Sequence, residues 1–178
     1  NLGKEVKVGN KVAVVGGGDV AIDAARCALR LGAEVTIVYR RSREEMPARV
    51  EEVKEAEEEG VKITYLAAPT RIIGKNGSIG GMECIRMALG EPDESGRRRP
   101  IPVEGSEFTI DVDMVIPAIG QASDLTFLED SEVETPRGGW VTTDDNCLTT
   151  QPGVFAGGDA VTGPATVVEA IGLSLIHI

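Results

Sequence analysis

Apolar residues in the first part of the chain alternate between short unbroken runs and helix-spaced positions. Lys11 to Val15 reads KVAVV, a run of strand length that ends in Gly16, Gly17 and Gly18. From Asp19 to Leu31, the residues Val20, Ala24, Cys27 and Leu31 recur at helical spacing until Gly32 stops the pattern. Ala33 to Tyr39, AEVTIVY, predicts a second strand. Pro47 and the charged EEVKEAEEEG run predict a helix ending at Gly60, and Val61 to Leu66 a third strand. Strand, helix, strand, helix, strand in this order is the pattern of a parallel, right-handed α/β sheet.

After Pro69 the segments become shorter and β-like: Thr70 to Ile73, Gly81 to Leu89, and Glu107 to Val112. The polar stretch GEPDESGRRRP reads as a hairpin loop between the last two; Arg97, Arg98 and Arg99 in it could reach a phosphate or an acidic partner, but between Pro92 and Pro100 they read as solvated. Val112 to Ala118 returns to a buried strand. From Gln121 to Arg137 the chain is acidic and irregular; Trp140 to Thr143 and Val154 to Ala156 read as short strands, with Trp140 half-buried, and Pro164 to Gly172 begins a helix. No period of 20 to 50 residues repeats, which excludes a solenoid.

Composition narrows the function classes. Of 178 residues, 42% are hydrophobic and 26% charged, a globular balance. Lys and Arg number 18 against 29 acidic residues, a net charge of -11, which repels a phosphate backbone and argues against nucleic acid as a partner. Aromatic residues at 3% leave few stacking platforms. No apolar stretch reaches the roughly 18 residues of a membrane span, and no basic segment followed by an apolar run stands before the first strand, so no targeting segment is expected in these residues. Cys27, Cys84 and Cys147 are too scattered for a zinc site or a redox dithiol, so no metal site is expected, and an odd thiol count fits a cytoplasmic protein. The 22 glycines are the anomaly, and they mark places of tight turning or close approach.

Three glycine sites carry the candidate chemistry. Gly16-Gly17-Gly18-Asp19-Val20-Ala21 is a G-x-G-x-x-A that follows a strand and opens a helix. Such a turn admits a pyrophosphate, and the helix N-terminus supplies free N–H groups and a positive dipole; the competing reading is a plain strand-to-helix turn. At the end of the second strand, where a fold selecting NAD would carry an acid, the chain has Tyr39-Arg40-Arg41-Ser42-Arg43. Guanidiniums there can pair with the 2′-phosphate of NADP; alternatively they neutralise Glu44, Glu45 and the acidic helix as a solvated face. A second site is the strand end at Ala118-Ile119-Gly120. The third is Gly153-Val-Phe-Ala-Gly-Gly-Asp159 before the helix start at Pro164 to Thr166; Asp159 could accept hydrogen bonds from a polyol or simply form an Asp turn.

These motifs carry a resemblance. The strings VVGGGDVAIDAAR, YRRSREEMPAR, GEPDESGRRRP and GVFAGGDAVTGPATVVEAIG, in this order and spacing, resemble the small subunit of NADPH-dependent glutamate synthase. They are also similar to its relatives, the NADPH-binding subunit of bifurcating ferredoxin:NADP oxidoreductase and the flavin half of dihydropyrimidine dehydrogenase. The likeness extends from about residue 1 to Gly172. It implies an NADP domain of Rossmann type with a β-rich excursion, spanning residues 1–122, inserted into an FAD domain whose C-terminal part is residues 123–172.

By the same resemblance, Gly16, Gly17, Gly18, Asp19 and Val20 hold the NADP pyrophosphate, Arg40 and Arg41 the 2′-phosphate, and Ala118, Ile119 and Gly120 close over the nucleotide. Gly158 and Asp159 contact the FAD pyrophosphate and ribityl chain, with Ala165, Thr166 and Val167 at the flavin ring. The implied reaction is hydride transfer from NADPH to FAD, then electron flow through iron–sulfur clusters to a large electron-accepting partner subunit. The cofactors perform that chemistry, and no side chain is named as acid or base.

The first FAD fold and the cluster-binding cysteines of the resembling proteins would lie before residue 1, so the FAD site is incomplete within this sequence. The last six residues, Leu173 to Ile178, spell LSLIHI, which is one reading frame of a common transposase sequencing adapter; they are expected to be read-through, which also removes His177 as a catalyst. Two competing functions are a disulfide reductase, which needs paired cysteines that are not seen, and an isolated NADP-binding module without activity.

Overall fold

The computed structural model describes residues 7–93, 96–136 and 139–176, with side chains in the last helix as far as Gly172. The chain divides into two compact units, Asn1–Ile119 and Gly120–Ile178, where the sequence reading placed a boundary after residue 122. Residue His177 and the end of the LSLIHI tail lie outside the described residues.

The first unit is a three-layer α/β fold. Strands β1 (Lys11–Val15), β2 (Glu34–Tyr39), β3 (Lys62–Tyr65) and β8 (Met114–Pro117) form one parallel sheet in the order β3-β2-β1-β8. Helices α1 (Asp19–Arg30) and α2 (Val50–Glu59) cover one face. On the other lies an antiparallel meander of β4 (Ala67–Lys75), β5 (Ser78–Pro92), β6 (Arg98–Pro102) and β7 (Phe108–Ile110), with β5 paired to each of the others.

Strand alternation explains the two cores. Val12 and Val14 of β1, with Val35 and Ile37 of β2, pack against Ala21, Ile22, Ala25 and Ala28 of α1 and against Val53 and Ala56 of α2. Ala13 and Val38 point the opposite way, onto Met82 and Cys84 of β5 and Val112. That burial pushes the Cys84 thiol up to about 11, so it behaves as a small apolar side chain. Leu66, with φ of 52°, bends the chain from the parallel sheet into the meander. Its N–H donates to the Arg41 carbonyl at 3.1 Å, and its carbonyl accepts from Met87 N–H at 2.8 Å.

One side chain reinforces the backbone pairing of β8 with β1. The Asp113 carboxylate accepts from the backbone N–H groups of Asn10 (2.9 Å) and Lys11 (3.0 Å). Those bonds, the one from Lys11 first, hold its carboxyl below the ordinary aspartate range.

In the second unit the two expected strands are corrected. Among the described residues, 140–143 and 154–156 contribute only isolated bridges, Thr143 to Thr149 and Leu148 to Phe155. Apolar triplets become strands only where a neighbour completes the ladder. Two helices follow, the short α3 (Asp159–Thr162) and α4 (Val167–Ile176). The second begins at Thr166, whose hydroxyl accepts from Glu169 N–H at 3.2 Å while the Glu169 carboxylate accepts from Thr166 N–H at 2.8 Å, a reciprocal cap. The meander holds a strand the sequence reading missed: the arginine-rich stretch enters β6, whose Pro100 and Pro102 suit an edge because they have no N–H to offer a further neighbour. No helix among the described residues is long and apolar enough to cross a membrane.

The acid-rich α2 survives its own repulsion through Arg26 of α1. That guanidinium reaches Glu52 at 2.7 Å, Glu55 at 3.0 Å and Glu59 at 2.6 Å, and it holds the Glu59 carboxyl down at about 2. A carboxyl depressed in the folded state contributes stability above its ordinary value and loses it as pH falls through the folded one. Thermal melts of Arg26→Ala should therefore show a lower midpoint at pH 7. The gap to the unmodified protein should close as pH falls from 4.5 toward about 2; a constant gap across that range would assign the loss to packing alone.

Candidate dinucleotide site

The strand order places the site. From β1 the chain passes through α1 to β2 on one side, whereas β8 lies on the other side of β1, so a crevice opens at the carboxyl ends of β1 and β8. Open α/β sheets bind ligands at such a switch point. The glycine turn Gly16-Gly17-Gly18 and the residue Ala118 both stand there.

Each glycine answers a different constraint. Gly16 has φ of 144°, and a Cβ on it would fall 2.2 Å from the Ala118 carbonyl oxygen. A Cβ on Gly17 would lie 2.5 Å from the Tyr39 ring, which is itself fixed by its hydroxyl donating to the Glu45 carbonyl at 2.7 Å. Gly18 is the opposite case: it caps α1 in extended conformation, and a Cβ there would have nothing within 4 Å. The first two glycines are required by the fold, and the third leaves open space before the helix N-terminus. In the first helical turn the Ala21 N–H donates to the Gly18 carbonyl at 2.9 Å, which leaves the Asp19 and Val20 N–H groups at the helix start for that space. Ala21, the last position of the motif, is fully buried against the sheet.

Asp19 does not oppose an incoming anion unscreened. One carboxylate oxygen accepts from Arg49 N–H at 3.1 Å, and the other lies 3.9 Å from the Arg49 guanidinium. Val20 is 70% exposed on the first turn. Across the crevice Ala118 N–H donates to the Val15 carbonyl at 2.8 Å, and Ile119, the last residue of this unit, is 77% exposed. Gly120 follows with φ of 96°.

The three guanidiniums after β2 separate into distinct roles. Arg43 pairs with Glu57 of α2 at 2.6 Å, so the expected solvated ion-pair face exists, built by this residue. Arg41 is buried: its guanidinium donates to the Asp93 carboxylate and, through Nε, to the Arg98 carbonyl at 2.8 Å. Arg40 is exposed, and no ion pair or side-chain hydrogen bond engages it among the described residues. The expectation that Arg98 is merely solvated is corrected, because its Nε donates to Glu45 at 2.5 Å and its Nη2 to Glu44 at 3.1 Å. Ser42 and Glu45 form a capping box over residues Arg43–Glu45. The S-x-x-E signature of that box was present in the sequence and would have warned that this segment is structured. Nothing in the sequence pointed to Asp93.

In the second unit, Gly158 turns with φ of 61° into α3, and its carbonyl accepts from the Val161 and Thr162 amides. The Asp159 carboxylate accepts from Ala165 N–H at 3.3 Å, which sets the approach to α4. Thr166 is the N-cap of that helix, and Val167 beside it is 75% exposed. These residues belong to one turn-helix segment of the second unit.

An open parallel sheet with a glycine turn at its switch point defines a dinucleotide-binding protein. The chain belongs to the pyridine nucleotide-disulphide oxidoreductase family, which it matches over residues 2–173. It is 58% identical over 165 residues to the beta subunit of NADP(+)-dependent formate dehydrogenase of Moorella thermoacetica, covering 92% of this chain and 23% of that protein. It is 49% identical over 195 residues to the beta subunit of the NADPH-Fe(3+) oxidoreductase of Geobacter sulfurreducens, covering 96% of this chain and 29% of the relative. The small chain of NADPH glutamate synthase from Azospirillum brasilense is 42% identical over 167 residues, covering 92% and 34%. The chain thus spans about a quarter to a third of these relatives. Among solved structures, the thioredoxin reductase of T. acidophilum superposes with a TM-score of 0.76 at 24% identity, over 94% of this chain and 50% of that one, a likeness of fold.

The glycine geometry makes a graded expectation. Gly17→Ala should cost about 1–3 kcal/mol through overpacking against Tyr39, and Gly16→Ala more, because backbone cannot yield as a ring can. Gly18→Ala should melt within about 0.5 kcal/mol of the unmodified protein, as surface changes do, yet bind dinucleotide more weakly because the new methyl stands where phosphate approaches. Denaturant unfolding together with nucleotide titration of the three variants checks this order.

Proposed function

We propose that this chain is the NADP-binding part of an NADPH-dependent flavin oxidoreductase of the glutamate synthase small-subunit type. The observation that carries the reading is the pairing of two features on one sheet: the open approach at Gly18 and the exposed, unengaged Arg40 at the end of β2. In a dinucleotide fold the pyrophosphate lies on the first helix N-terminus and the adenosine ribose near the end of the second strand. Gly16 to Val20 would receive the pyrophosphate, with Gly18 allowing close approach and Arg49 offsetting the charge of Asp19. Arg40 would take the 2′-phosphate, whose charge selects NADP over NAD. Ala118, Ile119 and Gly120 would border the nucleotide beside Gly16. The NADP(+) and NADPH in the names of the relatives support the same cofactor.

The unit Gly120–Ile178 is read as part of an FAD site. Gly158 and Asp159 would meet the pyrophosphate and ribityl chain, and Ala165, Thr166 and the exposed Val167 the flavin ring. When bound, the two cofactors supply hydride transfer from nicotinamide to flavin. The residues described here bind and orient; none needs to move a proton. Onward transfer would use iron–sulfur clusters and a partner subunit, in line with the subunit names of the relatives. Disulfide reduction is not assigned to these cysteines, because Cys84 is buried with a raised pKa and stands far in sequence from Cys27 and Cys147.

Titration of NADP and NAD against the unmodified chain and Arg40→Ala tests the reading. The unmodified chain should prefer NADP, and the preference should weaken as salt rises. Loss of a hydrogen bond to a charged group, worth about 1.5–3 kcal/mol, should weaken NADP binding about 10- to 100-fold in the variant. NAD affinity should hardly move. Equal losses for both nucleotides would refute the assignment.

A further inference from the structure

The hairpin joining β5 and β6 lies against the loop that leaves β2, and two arginines, one from each side, join them through three ion pairs. From the loop, Arg41 reaches out to Asp93 and to the Arg98 carbonyl. From the hairpin, Arg98 reaches back to Glu45 and Glu44. The Arg41 side chain is 5% exposed and that of Asp93 23%, so this pair has largely left water. Glu45, at 8%, also accepts from Ser42 N–H and from the Ser42 hydroxyl. Arg40, immediately before the braced residue, is exposed and, among the described residues, has no ion pair.

A buried ion pair is a poor device for stability alone, since apolar residues of similar volume commonly do as well. What it fixes is position. A cation selects a phosphate effectively only if the backbone carrying it is already ordered, because ordering a loop upon binding subtracts from affinity. The loop also carries Glu44 and Glu45, two carboxylates that would oppose a dianion; Arg98 pairs with both and offsets one of the two charges.

We propose that Asp93 and Arg98 on the β5–β6 hairpin are positioning residues for cofactor choice, and that Arg41 braces the loop through Asp93 so that Arg40 meets the 2′-phosphate of the nucleotide. This rests on the reading of Arg40 given above. It assigns Arg41 to the wall of the site, and it gives the β-rich excursion a role in nucleotide selection.

The test compares Kd for NADP and NAD in Asp93→Asn, Arg41→Ala and the double variant of the 178-residue chain. Both single changes should lower the NADP-to-NAD affinity ratio by a similar factor, about 3- to 30-fold for groups coupled by contact, and the double change should lower it no further. If Arg41 itself touches the phosphate, Asp93→Asn will leave NADP affinity unchanged or raise it while Arg41→Ala abolishes the preference, and the proposal fails. A parallel fall for both nucleotides would show a merely structural role and overturn it too.

Arg41→Lys provides a reading that does not depend on losing the charge. Lysine keeps the cation but cannot span Asp93 and the Arg98 carbonyl together, so the preference should drop as with alanine; its retention would overturn the brace. Failure of Arg40→Ala to affect the preference would instead sink the underlying reading, whatever the Asp93 variants do.

Discussion

The narrowness of the β1–α1 turn is the constraint on which the rest of the first unit depends. Gly16 passes so close to the Ala118 carbonyl, and Gly17 so close to the Tyr39 ring, that neither position takes a methyl group unless its neighbour moves. Three strands are therefore held at fixed spacing by a turn without side chains: β1 at its end, β2 through Tyr39 and β8 through Ala118. The helix begins where that turn releases the chain, so the position of its N-terminus is inherited from sheet packing. A ligand at this helix end meets donors whose placement is as rigid as the sheet.

Charge is organised with the same economy. The chain is strongly acidic, yet its basic residues are concentrated where acids crowd: Arg26 and Arg30 against Glu59, Arg43 against Glu57, Arg98 between Glu44 and Glu45. The exposed ones among them, such as Arg43 with Glu57, contribute little stability each. Their effect is to leave specific cations unspent, and at the end of β2 the unspent one is Arg40. Selectivity for a phosphate in an acidic protein depends as much on which arginines are neutralised as on which are present.

Much of this was legible in the residues, and the exceptions have physical causes. The β1–α1–β2 order followed from apolar runs and helix spacing, but the stripe read from that spacing is not the buried one: Val20, Cys27 and Leu31 are exposed, and α1 packs through Ala21, Ile22, Ala25 and Ala28, small residues that hydrophobic spacing did not single out. The G-x-G-x-x-A motif located the turn at the switch point, but only the backbone distinguishes glycines demanded by packing from the one facing open space. The arginine cluster was read as a unit, since sequence spacing cannot tell which guanidinium a distant acid will claim; Asp93 comes to Arg41 through the meander, by a contact set in three dimensions. Strand β6 was hidden by its prolines, which suit only an edge. In the second unit, apolar triplets suggested strands that the described residues do not pair into ladders.

The tie between Asp113 and the start of β1 joins residues up to 103 positions apart. Helix α1 and its flanking strands can form from neighbours in the chain, whereas the second wall of the crevice arrives only after the whole meander has been threaded and β8 has docked. Long-range pairing of this kind closes late, because the entropy of the intervening loop must be overcome before the contact rewards it. The crevice between β1 and β8 is then completed by long-range contacts of this unit. A dinucleotide that needs both walls would find no site on a partly folded chain, and its binding would report that folding of this unit had been completed.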